Sequence, residues 1–120
     1  MATRVLVVDD GEILLRVVSR RLRAMGCLVT SAANVVTALR LVAPPRPGLD
    51  VVLTDYWLPD GTGADLARAI DGRLPVVLFA GDLDEVPPVD RDVFLACFSK
   101  LEPFDVVGAR LIECGQARPR

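Results

Sequence analysis

Short apolar runs separate longer stretches in which apolar and polar residues follow a helical period. Most of these runs are continuous, which is typical of parallel strands buried on both faces of a sheet. The run at 28–32 is the weakest of them. We predict five strands, at 4–8, 28–32, 49–54, 76–79 and 95–99.

Between the strands, apolar residues recur at three- and four-residue spacing, as on one face of an amphipathic helix. Asn34 suits an N-cap and Gly26 suits a C-cap, so both mark helix ends. Pro103 suits the first turn of the last helix. We predict helices at 12–25, 34–42, 64–70 and from 103 onward.

Proline complicates two connections. Pro44 to Gly48 must end the second helix, and we interpret this segment as a turn within one domain. Pro87 and Pro88 lie in the middle of 81–93, a segment long enough for a helix. Because proline removes a backbone donor and disfavours a helical residue before it, we predict a short or irregular fourth helix there.

Strands that alternate with helices predict an α/β fold of the (βα)5 type, a doubly wound parallel sheet. We interpret 1–120 as a single domain with its core at about 4–115 and a frayed tail at 116–120. Right-handed crossovers bring the carboxyl ends of all strands to one edge of the sheet. The residues expected at that edge are Asp9, Asp10, Asp55, Ala80, Gly81 and Lys100.

The composition is that of an ordinary globular chain, with 52% apolar and 25% charged residues. The net charge is −2, and the basic residues are interspersed with acids, so we expect no nucleic-acid binding. No apolar run reaches the roughly 18 residues of a membrane span. The first strand begins too early to leave room for a signal peptide, so we expect a cytoplasmic protein.

Cysteine and histidine usage narrows the possible chemistry. Cys27, Cys97 and Cys114 form no Cys-x-x-Cys motif, and we interpret them as small buried apolar residues in a reducing compartment. Histidine is absent, which excludes imidazole metal sites and Ser–His triads. Any chemistry at the sheet edge therefore depends on carboxylates, Lys100 and the backbone.

Three carboxylates at one edge raise each other's pKa unless a cation neutralises them. Oxygen ligands without histidine or thiolate favour Mg²⁺. A carboxylate is also a possible nucleophile that forms an aspartyl phosphate, whose charge a nearby lysine would balance. Taken singly, these acids and Lys100 have simpler explanations as helix caps or surface residues. Their coincidence at the ends of strands one, three and five favours a phosphoryl-transfer site.

Four segments share residues and spacing with one known family. They are Val7 to Asp10, Leu53 to Asp55 followed by Pro59 and Gly63, Pro75 to Leu78, and Lys100. Over essentially the whole chain, this arrangement resembles the receiver domain of bacterial two-component response regulators. The resemblance implies a flavodoxin-like fold with sheet order 2-1-3-4-5.

The resemblance also implies roles for individual residues. Asp55 would be the phosphoacceptor, and Asp9 and Asp10 would hold Mg²⁺ together with Asp55 and the backbone carbonyl of Trp57. The phosphodonor would be a histidine kinase or a phosphotransfer protein. The domain would not be an enzyme, beyond catalysing its own phosphorylation and dephosphorylation.

The remaining implied roles concern the bound phosphoryl group. Lys100 would pair with it, and Ala80 and Gly81 would lie against it. Trp57 and Asp82 occupy positions that, in this family, modulate how readily water attacks the acyl phosphate. The indole of Trp57 either shields that bond or packs on a loop, and the sequence leaves both alternatives open.

The chain departs from the family pattern at its switch positions. Ala80 replaces the usual Ser or Thr, so a hydrogen bond typically worth about 1.5–3 kcal/mol is missing. Cys97 replaces the usual aromatic residue, and Leu101 and Glu102 precede Pro103 where proline normally follows the lysine directly. The usual coupling between positions 80 and 97 therefore cannot operate. We expect a receiver that binds Mg²⁺ and accepts phosphate but switches through another surface or only weakly.

Three other classes of function agree less well with the sequence. A phosphate-independent pseudo-receiver is favoured by Ala80 and Cys97 but opposed by the complete set of three acids and a lysine. An aspartate-nucleophile phosphohydrolase needs a second acid where Trp57 lies, and a nucleotide or flavin site needs a third glycine after Gly61 and Gly63. No DNA-binding domain fits near the end of the chain. We expect a stand-alone receiver or one cut from a larger protein, with a separate or covalently linked output partner.

Overall fold

The computed structural model describes residues 2–43 and 48–117. Five parallel strands form one sheet: β1 (Arg4–Val8), β2 (Leu28–Ala32), β3 (Val51–Thr54), β4 (Val76–Ala80) and β5 (Ala96–Ser99). Their order across the sheet is β2-β1-β3-β4-β5. The prediction of a doubly wound (βα)5 sheet with order 2-1-3-4-5 is therefore confirmed.

The helices lie between the strands, and most have the predicted ends. The Asn34 side chain accepts a hydrogen bond from the Thr37 amide, as an N-cap should, and Gly26 has φ of +91° just after the first helix. Pro103 immediately precedes the last helix. The helices are α1 (Glu12–Ala24), α2 (Val35–Val42), α3 (Gly63–Ile70), α4 (Pro88–Arg91) and α5 (Phe104–Gln116).

The fourth connection is short and irregular, as predicted. A 3-10 turn at Leu83–Glu85 comes first, and α4 then contains only four residues. Helix α5 continues through Gln116, and residues 118–120 of the expected frayed tail lie outside the described residues, as does the turn expected at 44–47.

The third strand begins at Val51, two residues later than predicted. Asp50, just before the strand, already contacts β1 through its backbone and its side chain. Its amide donates to the Arg4 carbonyl at 2.8 Å, and its Oδ2 accepts the Arg4 amide at 2.9 Å. Strand β4 extends one residue further than predicted, to Ala80, and β5 begins one residue later, at Ala96.

The sheet is covered on both faces, so successive strand residues contribute to opposite cores. Leu6, Val52 and Leu78 pack in one core with α2 and α3, while Val5 and Leu53 pack in the other with α1 and α5. All three cysteines are free thiols; Cys27 and Cys114 are buried and Cys97 is half-buried.

Candidate functional site

Hydrogen bonds of the sheet continue past the strand ends and fix the charged residues in place. The backbone N–H of Asp9 donates to the carbonyl of Ala32 (3.1 Å), and that of Asp55 donates to the carbonyl of Val8 (2.9 Å). At the far side, the N–H of Lys100 donates to the carbonyl of Ala80 (2.8 Å). The backbone of each charged residue is therefore held by the neighbouring strand, which limits the movement of its side chain.

Lys100 forms ion pairs with acids from two different strands. Its Nζ lies 2.9 Å from Asp9 Oδ2 and 3.2 Å from Asp55 Oδ2. The side chains of Lys100, Asp9 and Asp55 are 23%, 8% and 15% exposed, so water screens their charges only in part. The predicted convergence of Asp9, Asp55 and Lys100 is observed.

Burial and neighbouring charges act in opposite directions on this cluster. Burial raises the pKa of Asp55, and although the Lys100 charge works against it, the negative charge of Asp9 adds to the increase. Burial alone would lower the pKa of Lys100, but its hydrogen bond to Asp9 and the charge of Asp55 outweigh this and raise it. The lysine therefore remains a cation in the site.

The acids also have the donor set of a metal site. Asp9, Asp10 and Asp55 each place one carboxylate oxygen so that all three lie within 4.8 Å of one another. Asp9 Oδ1 accepts the Gly11 amide at 2.7 Å, which orients that carboxylate. Three oxygen donors, without nitrogen or sulfur, fit Mg²⁺.

Beside Asp55 a cleft of about 340 Å³ opens to the surface. Asp82 lines it, but the Asp82 carboxylate accepts the Asp84 amide at 2.9 Å and caps the 3-10 turn. Trp57 is 61% exposed, and its ring stands edge-on to that of Tyr56 at 4.9 Å. The cleft is lined by Asp55, Tyr56, Trp57, Ala80, Gly81, Asp82, Glu85, Val86 and Lys100.

One expected switch residue lies elsewhere. Cys97 is not among the described residues that line the cleft; its Sγ lies 3.8 Å from the carbonyl of Arg91. Gly63, the first residue of α3, lies against the backbone of Asp55. A Cβ on Gly63 would lie 2.3 Å from the Asp55 carbonyl oxygen, so only glycine fits there.

Tyr56 is a site residue that the sequence pattern alone does not identify. Its ring is 4% exposed, and its hydroxyl donates to Asp90 Oδ2 on α4 at 2.5 Å. Asp90 Oδ1 accepts a second bond, from Arg68 Nη2 on α3 at 2.6 Å. The available signal was a tyrosine close after a strand predicted to be buried. The hydroxyl of a buried tyrosine usually needs a hydrogen-bond partner.

Because Tyr56 is the only tyrosine of the chain, its titration is directly measurable. The hydrogen bond to Asp90, together with burial, raises the pKa of Tyr56 to about 12. We expect the phenolate absorbance of the folded protein to appear at correspondingly high pH. A folded pKa above the ordinary value near 10 means that the stabilisation is present below about pH 10 and is lost as pH rises towards 12.

The matched variant for that titration is Asp90→Asn, which keeps a hydrogen-bond acceptor but removes the charge. Its phenolate transition is expected at lower pH than that of the original protein. An identical transition in both proteins would contradict the assigned role of Asp90.

The sequence matches the family model of the response regulator receiver domain over residues 5–87. The chain belongs to this family. Asp9, Asp10 and Asp55 of the receiver lie within the matched segment, whereas Cys97 and Lys100 lie beyond it. Receiver domains are signalling domains, and they interact with histidine kinases or phosphotransfer proteins.

Individual relatives agree with this assignment. The two-component response regulator ORR22 of Oryza sativa subsp. japonica is 35% identical over 79 residues, which are 64% of the receiver and 11% of that protein. The receiver thus spans about a tenth of the length of this relative.

Solved structures match nearly the whole chain. The non-phosphorylated HemR receiver domain from Leptospira biflexa is 26% identical, with a TM-score of 0.81 and 98% of each chain covered. The response regulator TrrA from Thermotoga maritima, in complex with Mg²⁺ and BeF, has a TM-score of 0.83 at 20% identity, covering 93% of the receiver and 98% of that chain. None of the helices within 2–43 and 48–117 combines the length and apolar character that a membrane crossing requires.

Proposed function

We propose that this receiver is a phosphoacceptor in cytoplasmic two-component signalling, and that Asp55 receives a phosphoryl group from a histidine kinase or a phosphotransfer protein. The observation that carries the proposal is the position of Lys100, whose Nζ lies 2.9 Å from Asp9 and 3.2 Å from Asp55. A single cation held between two strand-end acids is suited to balance the charge of a phosphoryl group on one of them.

The chemistry follows from these positions. In the transfer, an Asp55 carboxylate oxygen bonds to phosphorus as the bond from phosphorus to the donor nitrogen breaks, and its electron pair stays on the donor. Asp9, Asp10, Asp55 and the backbone carbonyl of Trp57 would hold Mg²⁺, which when bound neutralises charge on the phosphoryl oxygens. Little covalent work remains for the protein, so its contribution is positioning and charge balance.

The raised pKa of Asp55 is consistent with a nucleophile, since burial makes its carboxylate more basic than an exposed one. Lys100 would move from the carboxylates to the phosphoryl oxygens. Ala80 and Gly81, which line the cleft beside Asp55, would lie against the group. The exposed indole of Trp57 at the rim, with Asp82, would set the access of water to the acyl phosphate.

The output is proposed to be unusual. Ala80 offers no hydroxyl to the phosphoryl group, and Cys97 does not line the cleft. Phosphorylation would therefore be read by a linked or separate partner through a surface other than β5, or only weakly. Large changes in amide chemical shift throughout residues 81–105 on phosphorylation, including all of β5, would contradict this.

The test is an intact-mass measurement after incubation with Mg²⁺ and acetyl phosphate. We expect a gain of one phosphoryl group that is absent in Asp55→Asn and absent when Mg²⁺ is chelated. The matched control is Asp71→Asn, at the opposite edge of the sheet, where the left-handed φ of +51° suits asparagine as well as aspartate. This control should gain the same mass as the original protein.

The other outcomes separate the alternatives. Binding of Mg²⁺ is monitored by the fluorescence of Trp57. If the protein neither gains mass nor binds Mg²⁺, the pseudo-receiver is favoured, which is a binding module independent of phosphate. Mg²⁺ binding without a mass gain would mean that acetyl phosphate does not replace the protein donor. Incubation with a phosphorylated phosphotransfer protein then decides whether Asp55 accepts a phosphoryl group. Gain of the same mass in Asp55→Asn would refute the assignment of the acceptor.

A further inference from the structure

Helix α4 depends on side-chain contacts for its position. It has four residues, and the amides of Asp90 and Arg91 both donate to the carbonyl of Pro87, at 2.9 and 3.1 Å. So short a helix has little internal stability. The Asp90 carboxylate anchors it through two bonds, from the Tyr56 hydroxyl at 2.5 Å and from Arg68 Nη2 at 2.6 Å.

Tyr56 is in turn hydrogen-bonded to the side chain of Asp55. Its amide donates to Asp55 Oδ1 at 2.8 Å, and its carbonyl accepts the Gly63 amide at 2.7 Å. The ring is buried and has only two side-chain torsions, so it follows its own backbone closely. Any change at the Asp55 carboxylate therefore acts on Tyr56, whose hydroxyl holds α4 through Asp90.

We propose that Tyr56, Asp90 and Arg68 transmit the phosphorylation state of Asp55 to helix α4. This inference rests on the proposed function of Asp55 as acceptor. It supplies a connection that positions 80 and 97 lack, because Ala80 has no polar side-chain atom and the Cys97 thiol faces a carbonyl of the α4 segment.

The physical cause is the loss of a charged acceptor. When an Asp55 oxygen bonds to phosphorus and the donor keeps the electron pair of the broken bond, the negative charge moves from the carboxylate to the phosphoryl oxygens. The Tyr56 amide then donates to a neutral acyl oxygen, and such bonds are roughly half as strong as charge-assisted ones. The Tyr56 backbone is released, its hydroxyl shifts, and Asp90 moves with it.

The consequence appears at the surface of α4. Val89 on this helix is 68% exposed, and Leu95 just beyond it is 56% exposed. A displacement of α4 changes how Val89 is presented while β5 stays in the sheet. A partner that contacts Val89 would thereby distinguish the two states of Asp55.

The experiment compares backbone amide chemical shifts with and without Mg²⁺ and beryllofluoride. In the original protein we expect shifts at the site, near 55–58, 80–82 and 100, and also at 88–92 and Arg68. In Tyr56→Phe, which keeps the ring and removes the hydroxyl, the shifts at 88–92 should fall by at least half while those at the site remain. Asp90→Asn should weaken the same response, and Glu113→Gln, which alters the exposed Arg110–Glu113 pair on α5, should not.

Each remaining outcome is decisive. Shifts at 88–92 in Tyr56→Phe equal to those of the original protein, or none at 88–92 in the original protein, would overturn the inference while leaving the acceptor site intact. No shifts at the site and no mass gain with acetyl phosphate would instead refute the proposed function, and the inference with it. If Tyr56→Phe does not fold, Asp90→Asn supplies the same comparison.

Discussion

Replacing Lys100 by methionine is expected to slow phosphorylation of Asp55 by acetyl phosphate by roughly 10²–10³-fold, the usual cost of removing one group that stabilises transition-state charge. Methionine has a similar length and keeps the apolar contacts of the stem. The amine that lies between Asp9 and Asp55 is lost, so nothing replaces it opposite the phosphoryl oxygens. The initial rate of mass gain at saturating Mg²⁺ measures the effect.

The same substitution should change Mg²⁺ affinity in the opposite direction. Removing a cation beside the three acids lowers the repulsion that Mg²⁺ meets. Two unit charges roughly 4 Å apart repel by about 1–4 kcal/mol, and the double charge of Mg²⁺ makes the lower figure a minimum here. Binding measured by titration should therefore tighten at least about fivefold. If Lys100 acts by charge balance, its loss slows phosphoryl transfer and tightens Mg²⁺ binding. General damage to the site would instead slow the transfer and weaken Mg²⁺ binding.

Lys100→Arg is the matched control, because it keeps the charge. Lys100 is the only lysine in the sequence, and the remaining basic side chains are arginines. A compact ammonium acts as a point charge, whereas the planar guanidinium needs a wider site. We expect an intermediate rate and unchanged Mg²⁺ affinity; a rate for Lys100→Met equal to that of the original protein would exclude Lys100 from the transfer.

How far the sequence predicts the site depends on how each residue is placed. Asp9, Asp55 and Lys100 each directly follow a predicted strand, so their convergence follows from the topology of a parallel sheet alone. No side-chain contact has to be known. The same holds for Asn34 and Gly26, whose capping roles are local.

Contacts between distant loops were not predictable in this way. The Tyr56–Asp90 bond joins residues 34 positions apart, and it depends on where α4 begins, which Pro87 and Pro88 obscured. Asp60 is a second example: its carboxylate accepts the amides of Val35 and Val36, 25 and 24 positions away, and these bonds lower the pKa of Asp60. Nothing in the local sequence of either loop specifies these partners.

Restoring the missing hydroxyl with Ala80→Thr is expected to tighten binding of beryllofluoride in the presence of Mg²⁺. One hydrogen bond to a charged group contributes about 1.5–3 kcal/mol, which corresponds to roughly 10- to 150-fold in the dissociation constant. Ala80 ends β4 and lines the cleft shared by Asp55 and Lys100, so the added hydroxyl has space and a charged partner there. Titration followed by Trp57 fluorescence measures the change.

Ala80→Val separates the hydrogen bond from the added volume, since valine has nearly the shape of threonine without the donor. Ala80 is 3% exposed, and any cost of crowding should be common to both variants. The ratio of their affinities therefore reports the hydroxyl alone. Equal affinities would mean that position 80 does not face the phosphoryl group. Ala80→Thr should bind beryllofluoride more tightly while the changes in amide chemical shift around Cys97 stay small. That result would show that the hydroxyl alone does not restore coupling to β5, because position 97 has no aromatic side chain that responds to it.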